Sequence, residues 1–193
     1  MQFPDIQLVL PAWMGEFCAQ WQEGFDTDEK RAVFVVALSR ENVVRGTGGP
    51  FAAAVFDPAR GMLIAPGVNL VVSACCSAAH AEIVALSVAQ QITGTHDLGA
   101  PGLPPLELVS STEPCAMCMG AVPWSGVRRL VCCARGEDAE AIGMDEGAKP
   151  PDWVAALAAR GIAVVRDVCR DAAVAVLQDY AAQGGPIYNG RQV

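Results

Sequence analysis

Leu106-Glu107-Leu108-Val109-Ser110, then Glu113-Pro114-Cys115-Ala116-Met117-Cys118, then Arg129-Leu130-Val131-Cys132-Cys133-Ala134 are the stretches that decide the fold. The first and last are short apolar runs rich in leucine and valine, which read as buried strands. Between them the cysteines open a helix that runs to about Ser125. Strand, helix and strand in succession belong to a layered α/β domain.

The same alternation continues on both sides. Asp26 with Glu29 suits a capping box heading a helix over 27–44, with Ala32, Val33, Val36 and Val43 on its apolar side. Gly46-Thr47-Gly48-Gly49-Pro50 ends it. Residues 51–56 and 62–72 are β-rich and joined by Asp57-Pro58-Ala59-Arg60-Gly61, the layout of an antiparallel hairpin. A helix is predicted over 79–92, another over 152–160, a strand over 162–165 and a last helix over 171–182. The hairpin makes the expected sheet mixed. No internal repeat, low-complexity tract or long linker divides the 193 residues, 52% of them hydrophobic, so the expectation is one domain over 1–193 with an extra segment at 1–25.

Chemistry concentrates in His80-Ala81-Glu82 and Pro114-Cys115-Ala116-Met117-Cys118. A lone CxxC could be a redox pair, half of a structural zinc site or two core thiols, and a lone histidine is most often unremarkable. Together, His80, Cys115 and Cys118 supply an imidazole and two thiolates, the three protein ligands of a hydrolytic zinc centre with a fourth position left for water. Glu82 is not needed as a ligand and is free to move protons. Two thiolates cancel the charge of zinc, so water is acidified less than at a three-histidine site and a general base is required.

Helix geometry supports part of this. The predicted helices place His80 in one first turn and both cysteines in another, so two positive dipole ends favour thiolate over thiol. Pro114 suits a helix start. A spacing of three puts the cysteines on one face, but residues two apart, as His80 and Glu82 are, do not share a face. Their convergence requires a helix that begins at about His80, and spacing leaves that open.

Charge narrows the ligand. The chain carries a net charge of −8 with only 13 Lys and Arg, concentrated nowhere beyond Arg128-Arg129. Polynucleotide binding draws on a basic face, so a small heterocycle is expected and nucleic acid is not. No apolar run approaches the roughly 18 residues of a membrane span. Met1-Gln2-Phe3-Pro4-Asp5 lacks the basic and apolar parts of a secretory signal, and the expected location is cytoplasmic. Of eight cysteines, Cys75-Cys76 and Cys132-Cys133 are adjacent pairs, poorly placed for disulfides, while Cys18 and Cys169 have no evident role.

The HxE and PCxxC elements are the signature of the zinc-dependent nucleobase deaminases. The chain resembles the cytidine deaminase superfamily, and within it the bacterial-type guanine deaminases. The resemblance runs over 48–147 and, more weakly, Ile187-Tyr188-Asn189-Gly190. Besides the two signature elements it rests on Gly48-Gly49-Pro50-Phe51-Ala52-Ala53, Trp124-Ser125 and Ala141-Ile142-Gly143-Met144-Asp145-Glu146.

That resemblance implies a three-layer α/β/α sandwich with a five-stranded mixed sheet, a homodimer, one Zn2+ per chain and a free nucleobase as substrate. It implies that Glu82 takes a proton from the attacking water, delivers it to the ring and assists departure of ammonia, with attack at C2 of guanine giving xanthine. It implies a proton-shuttling role for Glu146 and a weaker supporting one for Asp145. The alternative for both is a solvated acidic loop, since Glu137-Asp138-Ala139-Glu140 is equally acidic. By resemblance Phe51 and Trp124 line the base slot, Asn69 hydrogen-bonds the ring, the backbone of Ala81 faces it, and the tail over 184–193, with Tyr188, covers the site. Other rings on the same chemistry (cytosine, ammeline or another triazine, tRNA adenosine) remain open. An inactive zinc-stabilised domain also remains, although such a domain has no use for Glu82.

Overall fold

The computed structural model describes residues 3, 6–21, 24–187 and 189–190. In chain order its elements are α1 (Met14–Ala19), α2 (Asp28–Val44), β1 (Ala52–Asp57), β2 (Met62–Val68), α3 (Ala81–Thr93), β3 (Glu107–Thr112), α4 (Ala116–Ser125), β4 (Arg129–Ala134), α5 (Gly136–Ala141), α6 (Trp153–Ala158), β5 (Ala163–Val165) and α7 (Arg170–Ala182). The strands form one sheet in the order β2-β1-β3-β4-β5. β1 is antiparallel to β2 and β3, and β4 is parallel to β3 and β5. The five-stranded mixed sheet of an α/β/α sandwich is therefore observed.

Alternation along the strands builds the layers, because successive side chains of a strand point to opposite faces. Ala53, Val55, Leu108, Leu130 and Cys132 pack with Ala81, Ala85, Val122 and Leu157 from α3, α4 and α6. Ala52, Ala54, Phe56, Val109 and Val131 pack with Phe34, Val35 and Leu38 of α2. Beside this second layer, α7 buries Ala173, Val176 and Leu177 against Ala32, Val36 and Cys133. Cys132 and Cys133, adjacent in sequence, thus serve opposite faces as small buried hydrophobes.

The two helical layers are fixed to the sheet by specific contacts. A Cβ at Gly67 of β2 would stand 2.4 Å from the Ala85 nitrogen, so only glycine lets α3 lie this close to the sheet. Glu107, fully buried at the start of β3, is paired by Arg31 of α2 and by Arg129 at 2.6 Å, and Arg129 also reaches Asp28 at 2.5 Å. Removing one member of such a buried set costs about 3–5 kcal/mol, because its partner is left charged and dry. Arg129, half of the basic pair Arg128-Arg129, is thus spent on carboxylates of its own chain.

Several sequence expectations are corrected. The cap of α2 is Thr27, whose hydroxyl accepts from the Lys30 N–H at 3.2 Å, while Asp26 pairs with Lys30 instead of forming a capping box. Val33 is 47% exposed because the buried stripe of α2 follows Phe34, Val35 and Leu38. β2 stops at Val68. The chain turns after Asn69, and Leu70 and Val71 are buried in that turn, so their apolarity reports burial and not strand. The acidic run after Arg135 is the short helix α5, headed by Asp138 accepting from the Arg135 N–H at 2.7 Å. Trp13, Phe17 and Trp21, around α1, join a chain of ring contacts that reaches Phe34, which gives the segment before residue 25 a packed role. Among the described residues no helix is long and apolar enough to cross a membrane.

Candidate active site

The site forms where α3 and α4 begin. His80 is the N-cap of α3 with extended backbone (φ −69°, ψ 154°), and Glu82 is the second residue of the helix. A bend in the chain at His80, which spacing could not supply, turns both side chains to one place. Cys115 is likewise the extended N-cap of α4 (φ −63°, ψ 173°), with Cys118 in the first turn. Pro114 therefore precedes the cap instead of lying in the first turn. Left-handed glycines stop both helices, Gly94 after α3 and Gly126 after α4.

His80, Cys115 and Cys118 present ligand atoms that lie within 4.8 Å of one another. His80 Nδ1 is 3.5 Å from Cys115 Sγ. Ligands at ordinary Zn–N and Zn–S bond lengths in a tetrahedral shell stand about 3.3–3.8 Å apart, so this edge has the span one zinc ion needs. The protonation pattern agrees. The Cys118 thiol donates to the Cys115 sulfur, and with the help of His80 it holds the Cys115 thiol down at about 4. The same bond and burial push Cys118 far up. Burial pulls His80 down, but Cys115 beside it and the charge of Glu82 more than offset this, so its net shift is upward. A thiolate at Cys115 beside the Cys118 sulfur is the charge that a divalent cation takes up. These residues form the ligand set of a single Zn2+.

Around this cluster lies a pocket whose wall includes Glu82, Phe51, Asn69, Ala81, Asp145 and Glu146. Glu82 is 7% exposed. Burial raises its pKa, as does Cys115, and Ser110 of β3 donates to its Oε1 at 3.4 Å. Glu146 is 6% exposed, and burial pushes it up to about 7 even though Lys149, 3.0 Å away, pulls in the other direction. The Ala116 N–H, one of the free donors at the head of α4, donates to the Glu146 carbonyl at 2.9 Å. Glu146 is therefore not part of a solvated loop. Asp145 is bent back on its own chain, its Oδ1 accepting from the Gly147 N–H at 2.8 Å.

Asn69 stands in the turn after β2, where its Oδ1 accepts from the Val71 N–H at 3.3 Å. Its side-chain amide nitrogen has no protein partner among the described residues. Ala81 holds the first position of α3, where helix geometry leaves the N–H without an intrahelical acceptor. Trp124 is not brought to this pocket. It is 85% exposed beside Ile83, Leu86 and Ala121, because its position in the last turn of α4 turns it outward from the metal end. Tyr188 lies outside the described residues.

Residues 26–134 match the cytidine and deoxycytidylate deaminase zinc-binding region, more than half of the chain. The protein is a member of this deaminase family. Among solved structures, a guanine deaminase from Nitrosomonas europaea is 50% identical, with 94% of this chain and 99% of that one covered and a TM-score of 0.87. A protein solved in complex with 2,6-diaminopurine is 52% identical over 96% of this chain and 97% of that one, with a TM-score of 0.88. The guanine deaminase of Bacillus subtilis (strain 168) is 37% identical over 121 residues, 63% of this chain and 71% of the relative.

Within this deaminase the fold recruits residues that the sequence reading passed over. Asn42 and Ser39, buried polar residues of α2, hold the loop before β1: Asn42 Nδ2 donates to the Gly49 carbonyl at 2.9 Å and to the Asn69 carbonyl at 3.1 Å, and Ser39 to the Pro50 carbonyl at 2.6 Å. Two polar residues on the buried side of a helix were the signal. Tyr180 of α7 reaches the pocket and donates to the Pro186 carbonyl at 2.7 Å. Asn189 bridges from the tail, accepting from the Asp145 N–H at 2.8 Å and donating to the Gly143 carbonyl at 2.9 Å. Thr112 Oγ1, at the end of β3, is buried without a hydrogen-bond partner among the described residues and lines the pocket.

Proposed function

We propose that this deaminase hydrolyses free guanine to xanthine and ammonia. The observation that carries the reading is the meeting of a His-Cys-Cys zinc ligand set with two buried carboxylates, Glu82 and Glu146, in one pocket of a chain that matches a guanine deaminase along nearly its whole length. The chemistry zinc supplies when bound is acidification of the attacking water. Glu82 takes that water's proton and passes it to the ring nitrogen next to C2. The 2-amino group leaves as ammonia once protonated, and Glu146, its pKa raised toward neutrality, carries a proton to it. The one water supplies both protons: the first passes through Glu82 to the ring nitrogen, and the second, released from the C2 hydroxyl as the carbonyl forms and the C2–N bond breaks, replaces the one Glu146 gave to the amine.

Binding of the base falls to Phe51 as an apolar wall, to the free amide nitrogen of Asn69, and to the N-terminal backbone of α3 at Ala81. Asp145 shapes the loop that carries Glu146. Trp124, turned away from the pocket within one chain, has no part in this reading of the slot. The described part of the tail, residues 184–187 and 189–190, covers the base. Support comes from Pro186 in the pocket wall and from the Tyr180 and Asn189 bonds, which tie the tail to its own chain. A site closed in this way favours a free base over a nucleoside.

The same reading takes the chain as one domain, cytoplasmic and homodimeric, acting on no nucleic acid. All eight cysteines are free, which suits a reducing compartment. Sedimentation measures the dimer. Specificity constants for guanine, guanosine, cytidine, adenosine and ammeline, followed by ammonia release, test the substrate. Guanine should lead by a wide margin, and a faster reaction with cytidine or ammeline overturns it.

A further inference from the structure

We propose that Lys149 is a positioning residue for the second carboxylate: its ammonium, lodged in the space left by the missing side chain of Gly136, holds Glu146 in its working place. This rests on the reading of Glu146 as the proton carrier.

The geometry is specific. Lys149 Nζ lies 3.0 Å from Glu146 Oε2, and the two side chains are 14% and 6% exposed, so the pair is almost dry. Such a pair is held more firmly than a surface ion pair, since a partner that turns away leaves the other charge buried and unpaired. A Cβ at Gly136 would stand 2.6 Å from Lys149 Nζ, and 3.4 Å from Glu146 Oε2. A side chain there must push the ammonium out of its present seat by several tenths of an ångström. Gly136 itself does not drift, because its N–H donates to Glu113 Oε2 at 3.1 Å and Arg166 holds the other Glu113 oxygen at 2.5 Å.

Glu113 stands two residues before the ligand Cys115, and the Glu146 carbonyl receives the Ala116 N–H. The carboxylate is therefore located from both ends against one frame. Its backbone is bound to the head of α4, and its side chain is held by a lysine whose seat, Gly136, is tied to the segment leading into α4. Glu146 lies in no helix or strand, and among the described residues Lys149 is the only side chain hydrogen-bonded to its carboxylate. Loss of the ammonium leaves that carboxylate free to swing, and misplacement of a reacting group by about 1 Å costs on the order of 10²-fold in rate.

The test is a double-mutant cycle on the zinc-loaded enzyme with guanine as substrate. Lys149→Met and, separately, Gly136→Ala should each lower kcat about 10- to 100-fold while KM and zinc content stay close to wild type, with kcat read well below the melting temperature, which Lys149→Met lowers because Glu146 is left buried without its partner. Gly136→Ala removes the seat without touching the lysine, and alanine suits a helix start, so it stands in should Lys149→Met fold poorly. In a Glu146→Gln background neither change should lower kcat further, since the group being positioned is gone. Unchanged kcat in both single variants overturns the proposal, and so does an equal loss in both backgrounds. Wild-type kcat in Glu146→Gln alone overturns the carboxylate's role, a result read without any lysine variant.

Discussion

His80, Cys115 and Cys118 reach the pocket from the heads of two helices, whereas Glu146 reaches it from a loop. The helix-borne half is fixed by backbone geometry: two N-caps in extended conformation, a spacing of three residues, and a glycine in β2 that lets α3 lie against the sheet. The loop-borne half is fixed by single bonds, from Lys149 three residues along and from the more distant Ala116 N–H and Asn189 amide. The first half should fail all at once and the second by degrees.

The largest effect therefore belongs to the ligands. Replacing His80, Cys115 or Cys118 by alanine should abolish both bound zinc and turnover, because three protein ligands are the minimum for such a site. Metal analysis beside an activity assay reads it, and full zinc content in Cys115→Ala would remove that residue from the helix-borne half.

Next comes Glu82→Gln, which keeps shape and zinc but cannot accept a proton. A loss of ~10² to 10⁴-fold in kcat is expected, at the upper end for a residue serving more than one transfer. Turnover near wild type in this variant would end the acid/base account.

Glu146→Gln should be weaker, about 10²-fold in kcat with substrate affinity little changed. Asp145→Asn should be milder still, since the new amide oxygen can still accept from Gly147. Exposed Glu140 is the control. If all three variants behave alike, the loop-borne half has no chemistry and the contrast drawn above is one of packing only.

The smallest effect is on stability. Burial raises the pKa of Glu146 to about 7, so between the ordinary carboxylate range and about 7 the folded protein holds a proton that the unfolded chain has lost. Its contribution to stability is then complete below that range and is lost as pH rises toward neutrality. Between about pH 5 and about pH 8, Glu146→Gln should lose less melting temperature than wild type. Parallel pH profiles of melting temperature for the two proteins would argue that Glu146 is solvated.

Legibility in the sequence followed the range of the interaction. β4 was read to the residue, because an apolar run between a helix stop and Arg135 has one interpretation. β2 was read too long, since Leu70 and Val71 are buried by the turn and not by the sheet. The ligands were legible from residue type and spacing. Trp124 was not: resemblance offered it to the base, and its place in the last turn of α4 sends it to the surface. Tyr180, Ser39 and Asn42 gave only faint signals, because a tyrosine or a buried amide on a helix face says nothing of the loop it will meet.

By itself the sequence determined the layered α/β class, the zinc ligand set and the need for Glu82, since each follows from residue types within a few positions of one another. The joining of His80 with Glu82, the burial of Glu146 and its pairing with Lys149 over Gly136 were decided only by the tertiary structure. They depend on where a helix starts in space and on contacts between separate chain segments, such as Ala116 with Glu146 and Gly136 with Lys149, and no local pattern encodes either.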